Sequence, residues 1–168
     1  FNKSTNSLLV YPAGKAGSSY TISGSVSTIG WGAFGNCSTL TSIIMSDSVI
    51  TIDKNAFWAC SSLTSIYIPE GVTTIGSFAF YNCSALEFAC FKGDAPAIGA
   101  SAFDSCPTKI YYRSDASGWG ATFGGRPTAI WPAFTNVSVN VGTLVLQTEG
   151  TDGEIYVLEV STNLSSEL

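Results

Sequence analysis

Val49-Ile-Thr-Ile-Asp-Lys-Asn-Ala-Phe-Trp-Ala-Cys-Ser-Ser-Leu-Thr-Ser-Ile-Tyr-Ile-Pro-Glu-Gly71 is one unit of a 23-residue repeat. One period from Ile52 stand Ile29 and Ile75, and a further period on stands Ile98. Phe57 gives Phe34, Phe80 and Phe103; Ala56 gives Ala33, Ala79 and Ala102; Cys60 gives Cys37, Cys83 and Cys106. A fixed period of this size marks a stack in which each unit buries its apolar face only against its neighbours.

Working outward within the unit, Leu63-Thr-Ser-Ile-Tyr-Ile68 alternates and is rich in β-branched residues, so it is a strand. Pro69-Glu-Gly71 turns the chain, and Val72-Thr-Thr-Ile75 is a second short strand stopped at Gly76. Ser77 to Cys83 is expected to form one or two helical turns, because Ala79, Phe80 and Cys83 then share a face. The inward set is Val72, Ile75, Ala79, Phe80, Cys83 and Leu86. Equivalent strands of successive coils pair in parallel, about 4.8 Å apart.

Tyr20-Thr-Ile22 lies one period before Ile43-Ile-Met45, so the first coil is already in register, and Pro12 to Gly17 reads as a turn before it. Residues 1 to 7 are polar and expected to be loose, or to be the remnant of an upstream coil. The last coil decays: Pro107 follows Cys106, and Lys109 takes the place that Leu40, Leu63 and Leu86 hold. Trp119, Phe123 and Trp131 are assigned to a cap over roughly 110–132, since a terminal coil must cover an open sheet edge and core end. Residues 133–168 change texture. Val137–Val141, Thr143–Thr148 and Ile155–Val160 alternate as antiparallel strands, either packing on the cap or opening a further β domain.

Composition narrows the function. The chain of 168 residues is 45% hydrophobic and only 11% charged, with a net charge of −5. The seven Lys and Arg do not cluster, which argues against nucleic acid. No apolar run is long enough to span a bilayer. The chain begins at Phe1 without a signal segment and reads as a piece of something longer. Histidine is absent, which removes Ser-His-Asp and Cys-His catalysis.

With the repeat laid out, Leu63-Thr-Ser-Ile-Tyr-Ile-Pro69, Val72-Thr-Thr-Ile-Gly76 and Ala79-Phe-Tyr-Asn-Cys83 resemble the BspA-like leucine-rich repeats. Tyr11-Pro-Ala-Gly14 and Trp119-Gly-Ala-Thr-Phe-Gly-Gly-Arg-Pro127 resemble the ends of such arrays. The resemblance covers about residues 8 to 131 and implies a solenoid; with the reading of the units, the expectation is a leucine-rich repeat solenoid, β-rich with short helical turns, of about four to five coils over residues 1–132. A short antiparallel β segment over 133–168 would follow. The resemblance also implies a secreted or cell-surface protein in adhesion or protein binding, and the family has no shared catalytic residues.

Candidate chemistry is sparse. The cysteine column reads as small apolar filling rather than a metal or redox ladder, with Cys90 outside it. Asp47, Glu70 and Asp94 would line a solvated turn ridge. A carboxylate pair for hydrolysis or calcium is the weaker reading. No cofactor, metal or catalytic residue is expected, and the expectation is that this is no enzyme.

If Ile43, Met45, Ile66 and Ile68 point inward, their neighbours point out. An in-register stack then makes two outward ladders, Ser42–Ser65–Phe88–Tyr111 and Ile44–Tyr67–Cys90–Arg113. Aromatic residues with an Arg are the composition of interface hot spots. Tyr67, Phe88, Tyr111, Arg113 and Ile44 are therefore the candidate binding residues for a protein or glycan partner. The alternative is a structural spacer or a self-associating surface or filament subunit.

Overall fold

The computed structural model describes residues 6–8, 10–12 and 17–131, and the backbone of strands at 134–140, 143–149 and 155–161. Most of the segment expected to be loose, and residues 13–16 of the expected turn, lie outside the described residues. The chain divides into two compact units, Phe1–Ala129 and Ile130–Leu168.

The first unit is a parallel solenoid. One sheet is a ladder of very short strands: β1 (Ser7–Leu8), β3 (Thr28–Ile29), β5 (Thr51–Ile52), β7 (Thr74–Ile75) and β9 (Ala97–Ile98), hydrogen-bonded in that order. The Ile29, Ile52, Ile75 and Ile98 positions meet in register, as the period requires. The other face of each coil carries β2 (Ser19–Thr21), β4 (Ser42–Ile44), β6 (Ser65–Ile68), β8 (Phe88–Phe91) and β10 (Lys109–Tyr112). Here β2 pairs with β4, and β6, β8 and β10 pair in parallel. After β10 come β11 (Thr122–Phe123) and β12 (Arg126–Ile130), an antiparallel hairpin that closes the sheet edge beside β10.

Between the two strand faces lies one continuous core. All six residues of the predicted inward set are buried, as are Ile43, Met45, Ile66 and Ile68. The four phenylalanines of the column stack ring on ring, with centroids 5.0, 5.1 and 4.9 Å apart and planes inclined by 10°, 3° and 8°. Tyr11 continues the stack onto Phe34 at 5.2 Å. The stack spacing is close to the distance between paired strands, so each ring covers the next without strain. At the far end Trp119 lies 4.9 Å from Tyr112, Phe91 and Phe123, and its Nε1 donates to Gly93 O at 3.2 Å. Trp119 and Phe123 thus pack against the core as the expected cap, while Trp131 is buried but stands outside that core cluster.

The helical turns expected at Ser77–Cys83 do not form; the segment and its equivalents are successive tight turns. The reason is where the N–H groups go. Ala56, Trp58 and Cys60 donate three residues back, to Asp53, Asn55 and Phe57 at 3.2, 3.0 and 3.2 Å. The alternate groups of Asn55, Phe57 and Ala59 donate to the next coil, at Ser77, Ala79 and Tyr81, over 3.1, 2.7 and 2.9 Å. A helix would spend every donor within its own coil. The alternation needs two left-handed residues per coil: Gly32, Asn55, Phe78 and Ser101 in one column, Asn36, Ala59, Asn82 and Ser105 in the other. Coils approach so closely that a Cβ on Gly76 would lie 2.4 Å from Lys54 N.

The second unit holds β13 (Phe134–Asn140), β14 (Thr143–Glu149) and β15 (Ile155–Ser161), an antiparallel meander with β14 in the middle. In the backbone register Val139 pairs with Leu144, and Leu146 with Leu158.

Candidate binding face of the stacked strands

The outward side chains of the strands define the candidate site. In β6 and β8 the pattern is alternating: Ile66, Ile68, Ala89 and Phe91 are buried, while Tyr67 and Phe88 are 36% and 38% exposed. In β4 Ile44 is exposed and Ser42 is half-buried. Cys90 and Tyr111 are half-buried, in one row with Tyr67.

The ladders differ from the sequence reading at the last coil. Phe88 pairs with Lys109, not with Tyr111, and Cys90 pairs with Tyr111, not with Arg113. The rows are therefore Ser65–Phe88–Lys109 and Tyr67–Cys90–Tyr111. The cause is a shortened coil after Cys106-Pro107. Thr108, one place before Lys109, is buried and donates its hydroxyl to Leu86 O at 2.7 Å, and Lys109 N–H donates to Glu87 O at 2.8 Å. Lys109 does not stand where the leucines stood. Arg113 falls just past the end of β10, where its guanidinium forks onto Asp115.

A second difference is a break in the sheet. No ladder joins β4 to β6, so Ile44 and Tyr67 belong to separate hydrogen-bonded sheets. The face thus has a hydroxyl-rich half on β2 and β4 and an aromatic half on β6, β8 and β10.

Within the aromatic half Phe88 and Tyr111 touch diagonally, with centroids 6.1 Å apart. Lys109 Nζ lies 5.2 Å from the centre of the Tyr111 ring, and Lys92 Nζ lies 5.2 Å from that of Tyr67. Such cation–ring contacts hold the lysines down on the face. Lys92 also stands 3.8 Å from Asp47. Burial pushes the Tyr67 hydroxyl up to about 12, with Cys90 adding to the shift. Burial pushes the Cys90 thiol up to about 12 as well, so both are neutral at ordinary pH.

The carboxylates of the turn ridge stand among cations and hydrogen-bond donors. Glu70, Asp94 and Asp115 line an open cavity of about 340 Å³ with Lys92 and Arg113. Asp115 is held by Arg113, and Asp94 Oδ1 accepts the Ser117 N–H at 2.7 Å. The column cysteines are free thiols buried in the core. Cys60, Cys83 and Cys106 donate to the carbonyls of Phe34, Phe57 and Phe80 at 3.0, 3.0 and 2.8 Å, tying one coil to the preceding one. Among the described residues no group of three or more Cys, Asp or Glu is placed to hold a metal ion, and no helix is long and apolar enough to cross a membrane.

Sequence reasoning missed an aromatic group on the turn side. Trp31, Trp58 and Phe78 are exposed there, and Phe78 meets Tyr81 edge-on at 5.7 Å. The signal was present, since Trp58 and Tyr81 are one period apart, but the helical assignment hid the shared outward column.

A parallel stack with one leucine-strand face, a second short-strand face and tight turns between them is a leucine-rich repeat solenoid. The profile of the BspA type leucine-rich repeat region matches residues 14–115 in six copies, and the chain belongs to that family. It is similar to a leucine-rich repeat protein of Eubacterium ventriosum ATCC 27560, with 32% identity and a TM-score of 0.58, over 69% of this chain and 32% of that one. A leucine-rich repeat protein of Bacteroides ovatus ATCC 8483 matches at 27% identity and a TM-score of 0.49, over 63% of this chain and 28% of that one. A leucine-rich cell surface protein of Faecalibacterium prausnitzii A2-165 matches at 27% identity and a TM-score of 0.45, over 66% and 35%. The chain thus spans about a third of the length of the solved structures it matches. No curated protein sequence matches it.

Proposed function

We propose that the chain is a non-catalytic binding module of a secreted or cell-surface protein, engaging a protein or glycan partner through the outward face of its stacked strands. The observation that carries this is the placement of Tyr67, Phe88 and Tyr111 on outward positions of three hydrogen-bonded parallel strands. Rings held on such a sheet lose little freedom when a partner arrives, and large aromatic side chains dominate contact energies. Arg113 and Ile44 belong to the margin of the face: one is engaged with Asp115, the other lies across the sheet break. Family membership and the lack of histidine favour binding over catalysis.

The test is the double variant Tyr67→Ser with Phe88→Ser, compared with the parent for thermal stability and for retention on intact cells and extracellular matrix. Unchanged melting with lost retention supports the reading. Retention that persists turns the assignment to a structural spacer or a self-associating subunit, which analytical ultracentrifugation then separates.

A further inference from the structure

The outward positions of the five strands are almost free of charge. Hydroxyls fill those of β2 and β4 apart from Ile44, and in β6, β8 and β10 the only charged residue on an outward row is Lys109. Of the other cations near the face, Lys92 stands beside Asp47 and Arg113 is forked onto Asp115, while Arg126, on β12 beside β10, is half-buried and not on these outward rows. Lys109 is exposed and forms no ion pair among the described residues. It shares a row with Phe88 and lies over Tyr111, so one cation and two rings form a single compact cluster. In a chain of net charge −5, an unneutralised lysine among rings is a local attraction rather than part of a basic field.

We propose that Phe88, Lys109 and Tyr111 form a subsite for an acidic glycan, with Lys109 taking a sugar carboxylate and the two rings receiving the apolar C–H face of the pyranose. This rests on the binding-module reading above and gives it a partner chemistry. A carboxylate complements the unpaired charge of Lys109 on the outward rows. The extent of the cluster, with ring centroids 6.1 Å apart, suits one or two sugar rings. A protein partner needs on the order of 800 Å² of continuous contact with a dry apolar centre, and here the aromatic cluster borders on Ser65 instead, with the hydroxyls of β2 and β4 further along the face. Those hydroxyls suit a ligand made of hydroxyls.

The intact chain is titrated with polygalacturonate, with a neutral polysaccharide of similar length, and with poly-L-glutamate, each at low and high salt. Polygalacturonate is expected to bind, more weakly in high salt, and the neutral polymer to bind at least about tenfold more weakly, the usual worth of one charge-assisted contact. Lys109→Gln should reduce polygalacturonate binding by a similar factor of about ten with an unchanged melting temperature, and Lys109→Arg should restore most of it. Equal binding of the neutral polymer, or no effect of Lys109→Gln, overturns the proposal. Poly-L-glutamate binding as tightly as polygalacturonate also overturns it, since the site would then read charge without the sugar. Failure of every polysaccharide to bind overturns it too, yet leaves the strand-face reading standing, because that reading fails only if the Tyr67/Phe88 double variant still adheres to cells and matrix.

Discussion

The rings of Phe57 and Phe80 lie 5.1 Å apart and only 3° from parallel, although 23 residues separate them in the chain. Neither ring has measurable exposure. Each is therefore at once a core side chain of its own coil and the floor of the next. Phe57→Ala or Phe80→Ala removes a ring from the middle of the stack and leaves a void that the rigid neighbouring coils cannot fill. The expected cost is about 3–5 kcal/mol in urea melts. The two losses should not add, because the rings touch. A cost below about 1 kcal/mol for both would contradict the stack, since that is the range of surface substitutions.

The thiols make a second test. Burial pushes Cys37 up to about 11, and hydrogen bonds with Cys106 and Cys60 raise Cys83 further. Only the thiolate reacts readily with an alkylating reagent. Hydrogen bonds with Cys83 lower Cys60 and Cys106 instead, so those two are shielded by their burial in the core. Native protein at mildly alkaline pH should leave Cys37, Cys60, Cys83 and Cys106 unlabelled, with Cys90, half-exposed, reacting slowly and first. Denatured protein should take up five labels, one for each free thiol. Mass spectrometry of both samples decides it: rapid native labelling of Cys60 or Cys83, or a disulfide between column members, contradicts the structure.

The repeat columns were legible because each coil imposes the same burial on the same position, so identity at one period reports contact directly. The helical turns were misread because Ala79, Phe80 and Cys83 fall on one face of a helix and equally on the inside of two consecutive tight turns. What separates these is the destination of the alternate N–H groups, which the side chains do not reveal. The left-handed positions left only a faint mark: Asn36, Asn82 and Gly32 suit it, but Phe78 and Ala59 hold it as well. At the candidate site, alternation placed Tyr67 and Phe88 outward. Strict periodicity failed where Pro107 and Thr108 shorten the last coil, and so Lys109 was overlooked as a neighbour of Phe88.

Ala59 holds a φ of 56°, in the column otherwise filled by Asn36, Asn82 and Ser105. A left-handed backbone costs an L-residue with a Cβ about 1–2 kcal/mol, less for Asn and nothing for Gly. Ala59→Gly should therefore stabilise the chain, by up to about 1 kcal/mol after the added freedom of the unfolded state is subtracted. Asn82→Ala should destabilise it, because Asn tolerates this region better than Ala. Thermal melts of the two variants ought to move in opposite directions. A shift of the same sign in both would mean that these turns do not hold the conformation observed.

Asp94 sets the pH behaviour of the cap. Its Oδ1 accepts the Ser117 N–H at 2.7 Å, and Ala95 N–H donates back to Ser117 O at 2.9 Å, so the last coil is stapled to the segment that leads into Trp119. The backbone N–H of Ser117, then its hydroxyl, hold the Asp94 carboxyl below the usual carboxylate range. A lowered folded-state pKa favours the folded cap above the unfolded value, and that contribution disappears as the pH falls through the folded value. The carboxyl is fully exposed, so the effect is local to the staple. Three measurements follow. The carboxyl resonance of Asp94 should titrate below those of ordinary surface aspartates. The amide of Ser117 should lose exchange protection over the same acidic interval, while amides beside Phe57 stay protected. Asp94→Asn, which keeps an oxygen acceptor but no charge, should abolish that pH dependence, and Asp94→Ala should expose the Ser117 amide even at neutral pH. If Ser117 protection proves independent of pH in the parent chain and survives Asp94→Ala, then the cap is held by Trp119 and its ring contacts alone.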